Sequence, residues 1–185
     1  MKWALIGLLL IPPLFLVGME ANEEPAVKTV DKLEVEKYLG KWYAIASMEK
    51  FFNRSCVWGN KAEYSLRDDG RIDVKNSCYE ENGEKREVSA VAWVPDDSEP
   101  GKLKVSFVPF LGYRLFPAKY WVLELGDEYQ YAVVGHPSRN FGWILSREPE
   151  MDQEILDSIA RRLEAAGYDF SDFKINPQKP PEDRQ

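Results

Sequence analysis

The sequence predicts an all-β protein, an eight-stranded antiparallel up-and-down barrel with one C-terminal α-helix packed outside. Three observations predict it. Short segments alternate apolar and polar residues with period two, tight turns separate them, and one late segment switches to helical spacing. A sandwich of two sheets is the alternative that the same pattern allows.

The first strand is read from Lys41 to Met48. In the second, Trp58, Asn60, Ala62, Tyr64 and Leu66 share one face, against Lys61, Glu63 and Ser65. Asp68-Asp69-Gly70 then forms a three-residue hairpin loop, with glycine where a left-handed conformation is needed. The third strand continues that face with Ile72, Val74, Asn76 and Cys78. Val88, Ala90, Ala92 and Val94 mark the fourth, and Leu103, Val105 and Phe107 the fifth. Segments near 119–125, 129–135 and 141–147 are rich in aromatic and β-branched residues, punctuated by Gly126-Asp127 and Gly135-His136-Pro137. Eight meandering strands can close on themselves and so remove the exposed edges that invite aggregation. From Asp152 to Ala166, Ile155, Leu156, Ile159, Leu163 and Ala166 follow helical spacing and Gly167 marks the stop. That stripe packs against the outside of the barrel.

With 185 residues, 44% of them hydrophobic, the chain supports one well-buried domain. Residues 1–21 read as a signal peptide: Lys2 precedes an apolar run from Trp3 to Val17, and small Ala21 ends the stretch. Pro12 and Pro13 interrupt the run, so a retained membrane anchor is the lesser reading. No cysteine follows it that could carry a lipid. Residues 22–37 are expected as an exposed lead-in, 38–176 as the barrel plus helix, and 177–185 as a disordered tail. The expected location is exported, either periplasmic or secreted, with membrane association as a further option. A net charge of -7 argues against nucleic acid as a partner.

Several segments together resemble the lipocalins, within the branch of bacterial lipocalins, plant temperature-induced lipocalins and apolipoprotein D. Gly40-Lys41-Trp42-Tyr43 is similar to the family's first motif, and Tyr64 to Gly70 to this branch's first hairpin. Tyr120-Trp121-Val122-Leu123 resembles its sixth strand. Tyr129 to Gly135, followed by Pro137, resembles the second motif, and Trp143-Ile144-Leu145-Ser146-Arg147 the third. The likeness runs from about residue 31 to about residue 173, in order and spacing. Trp42 is large enough to plug the narrow end of a small barrel, and Gly40 permits close approach there. The resemblance implies that Arg147 lays its guanidinium over that indole and closes the floor.

The expected ligand is a lipid-like molecule in the interior, a fatty acid or lysophospholipid. Ala46, Ala62, Ala90 and Ala92 are small and leave room, as does Ala44, while Tyr64, Val74, Val105 and Phe107 supply apolar walls. Each buried methylene contributes about 0.8 kcal/mol, which favours an alkyl chain over a sugar. Asn60, Asn76 and Tyr64 are candidates to hold a polar group, or else satisfy one another or water. Residues 109–117 read P-F-L-G-Y-R-L-F-P, an apolar connection that serves as a lid, a membrane contact or a weak homodimer contact. Tyr113, Arg114 and Phe116 in this loop, and Tyr120 after it, complete the ligand-binding set, with Arg114 the choice for an acidic head group. The resemblance adds a role in membrane maintenance or stress defence.

Catalytic residues are scarce. His136, the one histidine, sits in a Gly-His-Pro turn, and with two cysteines it makes at most an incomplete zinc site. No enzyme activity, metal or cofactor is expected. The alternatives are a lipid-modifying lipocalin that uses Cys78 as nucleophile, and a structural envelope protein without ligand. Cys56 and Cys78 are candidates for a disulfide, which an exported chain and the resemblance both favour. The plain hairpin register opposes it, because it pairs residue 60 with residue 78. A bulge, or a late start of the second strand, repairs this. Asn53-Arg54-Ser55 is a possible glycosylation sequon, with Asn53 as acceptor.

Overall fold

The computed structural model describes residues 25–50, 53–110 and 113–183, with backbone alone for 108–110 and 113–114. The segment read as a signal peptide lies outside the described residues.

The expected strands all form. They are β1 (Gly40–Met48), β2 (Trp58–Leu66), β3 (Ile72–Tyr79), β4 (Lys85–Trp93) and β5 (Lys102–Ser106), then β8 (Ala118–Leu125), β9 (Tyr131–Gly135) and β10 (Gly142–Ser146). Between β5 and β8 the chain makes a small separate hairpin, β6 (Val108–Phe110) with β7 (Tyr113–Leu115), where an apolar connecting loop was expected. Each strand of the main sheet pairs antiparallel with its neighbour, and β10 returns to pair with β1. That last pairing closes the ring and decides for a barrel against a two-sheet sandwich. A ninth short strand, β11 (Phe173–Ile175), adds to the upper half of β1.

Alternation sorts the apolar residues into two cores. The inner one holds Trp42, Ala62, Tyr64, Val74, Ala90, Ala92, Val105 and Val134, among others. A single helical turn, α1 (Val35–Tyr38), leads into β1. The outer core lies between the barrel wall and the helix α2 (Gln153–Ala165), where Leu156, Ile159 and Leu163 meet Ala46, Val133 and Ile144. The Asp152 side chain caps the start of α2 by accepting from the Glu154 amide at 2.8 Å. At its end Gly167 adopts a φ of 84°, while the amides of Gly167 and Tyr168 return to the carbonyls of Glu164 and Leu163. This is a Schellman stop, which only glycine enters without strain.

Three bulges interrupt the ladders: one in β8 at Leu123, and two, in β1 and β2, that bear on faces read from the sequence. Opposite β10, Ala44 pairs with Leu145 but Ala46 pairs with Ile144, so Ile45 is an extra residue. The extra residue turns Ala46 out of the lumen and into the outer core, against expectation. In β2, Ala62 faces Asn76 and Lys61 faces Ser77 as the hairpin loop dictates, yet Trp58 faces Tyr79. The residues between form a bulge, and Asn60 sits in it, half-buried, where alternation no longer fixes its direction. Trp58 follows Tyr79 to the outer face, and the two rings stack at 3.8 Å.

The ends of the chain are more ordered than their composition suggests. Residues 22–37 were expected as an exposed lead-in, but in its described part the Val30 amide bonds the Val122 carbonyl at 3.0 Å. Leu33 is buried, and Val30 and Val35 pack against the inner core. At the other end, the amides of Asn176 and Gly59 reach the carbonyls of Ile45 and Pro177, each at 2.8 Å. Gln178 donates to the Ala44 carbonyl at 2.8 Å. Pairing of β1 with β2 ends at Tyr43, and beyond it the tail supplies partners for the carbonyls of Ala44 and Ile45. Residues 177–178 are therefore docked rather than frayed.

Candidate functional site

The floor of the barrel is built from the turn before β1 and the end of β10. Gly40 has a φ of 88°, a left-handed conformation that swings the chain across the base. Trp42 follows and is completely buried, at 0% exposure. Its indole N–H donates to the Tyr38 carbonyl at 2.8 Å. The Arg147 guanidinium lies 3.7 Å from the centre of the indole, the stack that the sequence motifs implied. Arg147 also donates to the carbonyls of Lys41 at 2.9 Å and Tyr129 at 3.3 Å, and to that of Lys37. One cation thus ties the first turn, the first strand and the β8–β9 turn together.

Above this plug three tyrosines meet. The Tyr120 hydroxyl is 2.7 Å from that of Tyr38 and 2.9 Å from that of Tyr64. Three hydroxyls carry three protons, and two hydrogen bonds consume two of them, so one donor remains for another acceptor. Burial pushes the Tyr38 and Tyr120 phenols well above their ordinary range and Tyr64 up to about 12. The cluster is therefore neutral at physiological pH and offers a proton rather than a charge. Tyr120 is hemmed in by protein yet keeps part of its surface accessible, as a side chain facing an internal space does.

The walls above are small and apolar. Ala62, Val74, Ala90, Ala92 and Val105 are buried around the lumen, as expected, and Tyr64 stands among them. Asn76 points the same way, half-buried, and its amide makes no hydrogen bond among the described residues. From Ile72 up β3 and from Ala92 up β4, the inward positions carry no charge until Arg86, opposite Cys78 near the rim. Trp143, partly accessible, packs on the same lumen from β10. Tyr38 and Trp143 were not singled out from sequence. The signals were there: an aromatic four residues before Trp42, and a tryptophan two before Leu145 on an alternating strand.

Toward the mouth the lining opens. Val88 is 37% exposed, and Phe107, past the end of β5, is 44% exposed rather than part of a closed wall. Phe116 is 83% exposed and holds a φ of 51°, a conformation costly for an aromatic residue. It lies outside the lumen. Tyr113 and Arg114 are on β7, and their side chains fall outside the described part. Cys56 and Cys78 form a disulfide with their Cα atoms 5.5 Å apart. The β2 bulge and the start of β2 at Trp58 bring Cys56 within reach, so the register problem is solved by both repairs together. The bridge also takes up the thiol that a nucleophilic role for Cys78 needs. Asn53 is engaged in its own turn, its side-chain oxygen accepting from the Lys50 amide at 2.6 Å and its nitrogen donating to the Met48 carbonyl at 3.3 Å. His136 lies in the β9–β10 turn, its ring bonded to Ser138 at 2.7 Å and its backbone held by the Tyr168 hydroxyl.

A closed eight-stranded barrel, plugged by a tryptophan–arginine stack at one end and opening at the other, defines a binding protein for small hydrophobic molecules. The chain belongs to the lipocalin family: residues 33–178 match the family described as a lipocalin-like domain. It is 37% identical to temperature-induced lipocalin-1 of Arabidopsis thaliana over 166 residues, covering 87% of this chain and 89% of that protein. It is 40% identical to the outer membrane lipoprotein Blc of Vibrio cholerae over 147 residues, covering 78% and 82%. In structure it is similar to insecticyanin of the tobacco hornworm Manduca sexta, with a TM-score of 0.68, 24% identity and coverage of 84% and 86%. That last likeness speaks for the fold alone.

Proposed function

We propose that this lipocalin carries an amphipathic lipid, a fatty acid or lysophospholipid, with its alkyl chain in the lumen and its charged head at the mouth. The observation that carries the reading is the distribution of polarity along the inward face. The deep half offers alanine, valine and neutral tyrosine, and the first inward-parity charge on β4 is Arg86 at the rim. A carboxylate or phosphate deep in the lumen would find the Arg147 cation already committed to the Trp42 indole and three carbonyls, and burying an unpaired charge is far more costly than leaving it at the mouth. A chain of a dozen methylenes gains about 0.8 kcal/mol for each one buried, enough for useful affinity without polar contacts. The remaining phenol proton and the Asn76 amide then favour chains that also carry a neutral oxygen.

Loading and release take place at a membrane in this reading. Phe116 is held exposed in a strained conformation beside the mouth, and Phe107 accompanies it. Strain and exposed apolar surface together point to a contact that removes them from water. Export fits the disulfide, which persists in an oxidising compartment. A titration with a fluorescent fatty acid tests the proposal. The expected result is saturable one-to-one binding that Val88→Trp abolishes while leaving the melting temperature within a few degrees of the parent. Saturable binding that persists in the folded variant overturns it.

A further inference from the structure

We infer that the outer wall of the barrel below the β6–β7 hairpin, on strands β4, β5 and β8, is a docking face for an anionic lipid bilayer. The ladder between β5 and β8 sets Lys104 directly opposite Lys119 and Lys102 opposite Trp121. On the other side of β5, Lys104 faces Trp93. The neighbours Leu103, Val105 and Tyr120 belong to the inner core, so these lysines and tryptophans point outward.

Like charges directly opposite each other on a sheet destabilise it, unless something anionic lies over them. Lys104 makes no ion pair among the described residues, and Lys119 contacts only the Trp121 ring, 5.7 Å from its centre. Lys102 stands over the same ring at 5.1 Å, and Arg71 over Trp93 at 5.8 Å. The carboxylates around the patch are already engaged: Glu99 by Lys102, Asp96 by the amide and hydroxyl of Ser98, and Asp69 and Asp73 by Arg67. The result is a cationic patch with two half-buried indoles on a chain whose net charge is -7. Lysines matched to phosphates and tryptophans set at headgroup depth are what an interfacial surface presents.

Position supports the assignment. The pair Val105 and Ala118 is the last rung before the chain leaves for the hairpin, and Lys104 with Lys119 is the next rung down. Rungs are about 3.4 Å apart. A barrel that lowers Phe107 and Phe116 into a bilayer therefore brings the lysines to the phosphate layer and tilts the mouth toward it. This step rests on the reading that the mouth works at a membrane, and it does not depend on what fills the lumen.

The test is co-sedimentation of the full chain with vesicles of phosphatidylcholine, alone or with about one-third phosphatidylglycerol. Each basic residue near an anionic surface contributes about 1 kcal/mol, so Lys104→Glu, which alters charge by two, should weaken binding to the anionic vesicles by about tenfold or more. Binding to neutral vesicles and to a fluorescent fatty acid should not change. The same substitution places opposite charges across the ladder, so folding is not at risk. Half-molar salt should remove the preference for anionic vesicles in the parent chain. Equal binding to both vesicle types, an undiminished preference in the variant, or equally tight capture by soluble dextran sulfate overturns the inference. Phe116→Ser reads the hairpin separately, because it should weaken binding to both vesicle types alike.

Discussion

The two ends of this barrel use the same strands to opposite effect. At the floor Trp42 is fully buried, stacked by Arg147 and bonded to Tyr38, and Leu33 and Val30 close the gap beneath. At the mouth Val88, Phe107 and Phe116 keep 37%, 44% and 83% of their surface exposed. Stability is thus concentrated where nothing enters, and surface is left unsatisfied where a ligand and a membrane arrive. The difference teaches that an apolar interior is not by itself a binding site. The site is the part of it that packing leaves uncovered.

Substitutions that blur this contrast should cost most at the floor. Trp42→Ala should lose about 3–5 kcal/mol in a denaturant titration, as large buried residues do, and an unchanged midpoint would remove Trp42 from that role. The disulfide spans 22 residues and should contribute about 3 kcal/mol, read as the drop in melting temperature on replacing both cysteines by alanine. Tyr120→Phe should cost about 2 kcal/mol, because two buried hydroxyls lose their shared partner.

Alkali sharpens the comparison further. The tyrosines of the floor keep their protons in the folded state beyond the ordinary value of 10.0, to about 12 for Tyr64, with Tyr38 and Tyr120 also pushed well up by burial. The unfolded chain gives up those protons first. Stability should therefore be flat with respect to these groups below pH 10 and fall above it, by about 1.4 kcal/mol per pH unit for each tyrosine. Tyr64→Phe should make the fall shallower. At the mouth, Phe116→Ser should shift stability by less than about 0.5 kcal/mol, while it reduces vesicle binding in the sedimentation assay.

Much of the fold was legible because the β-strand period is simple. Tyr64, Val74, Ala90 and Ala92 sit on the predicted face because the Asp68-Asp69-Gly70 loop fixes the β2–β3 register. Ala46 and Trp58 were misplaced for one reason: a bulge inserts a residue, and alternation read from sequence cannot count it. Val30, Leu33 and Gln178 were missed for another. They fill gaps and satisfy carbonyls that exist only once the barrel has closed, so no local pattern announces them. Tyr38 and Tyr120 are far apart in the chain, and their shared hydrogen bond is a product of closure as well.

The most direct measurement is a crystal structure of the protein with a fatty acid brominated near its methyl end. The expected result is an anomalous bromine signal inside the ring of strands, between Ala92 and Tyr120 and above Trp42. Bromine found only outside the barrel, against the hairpin or the helix, would contradict it.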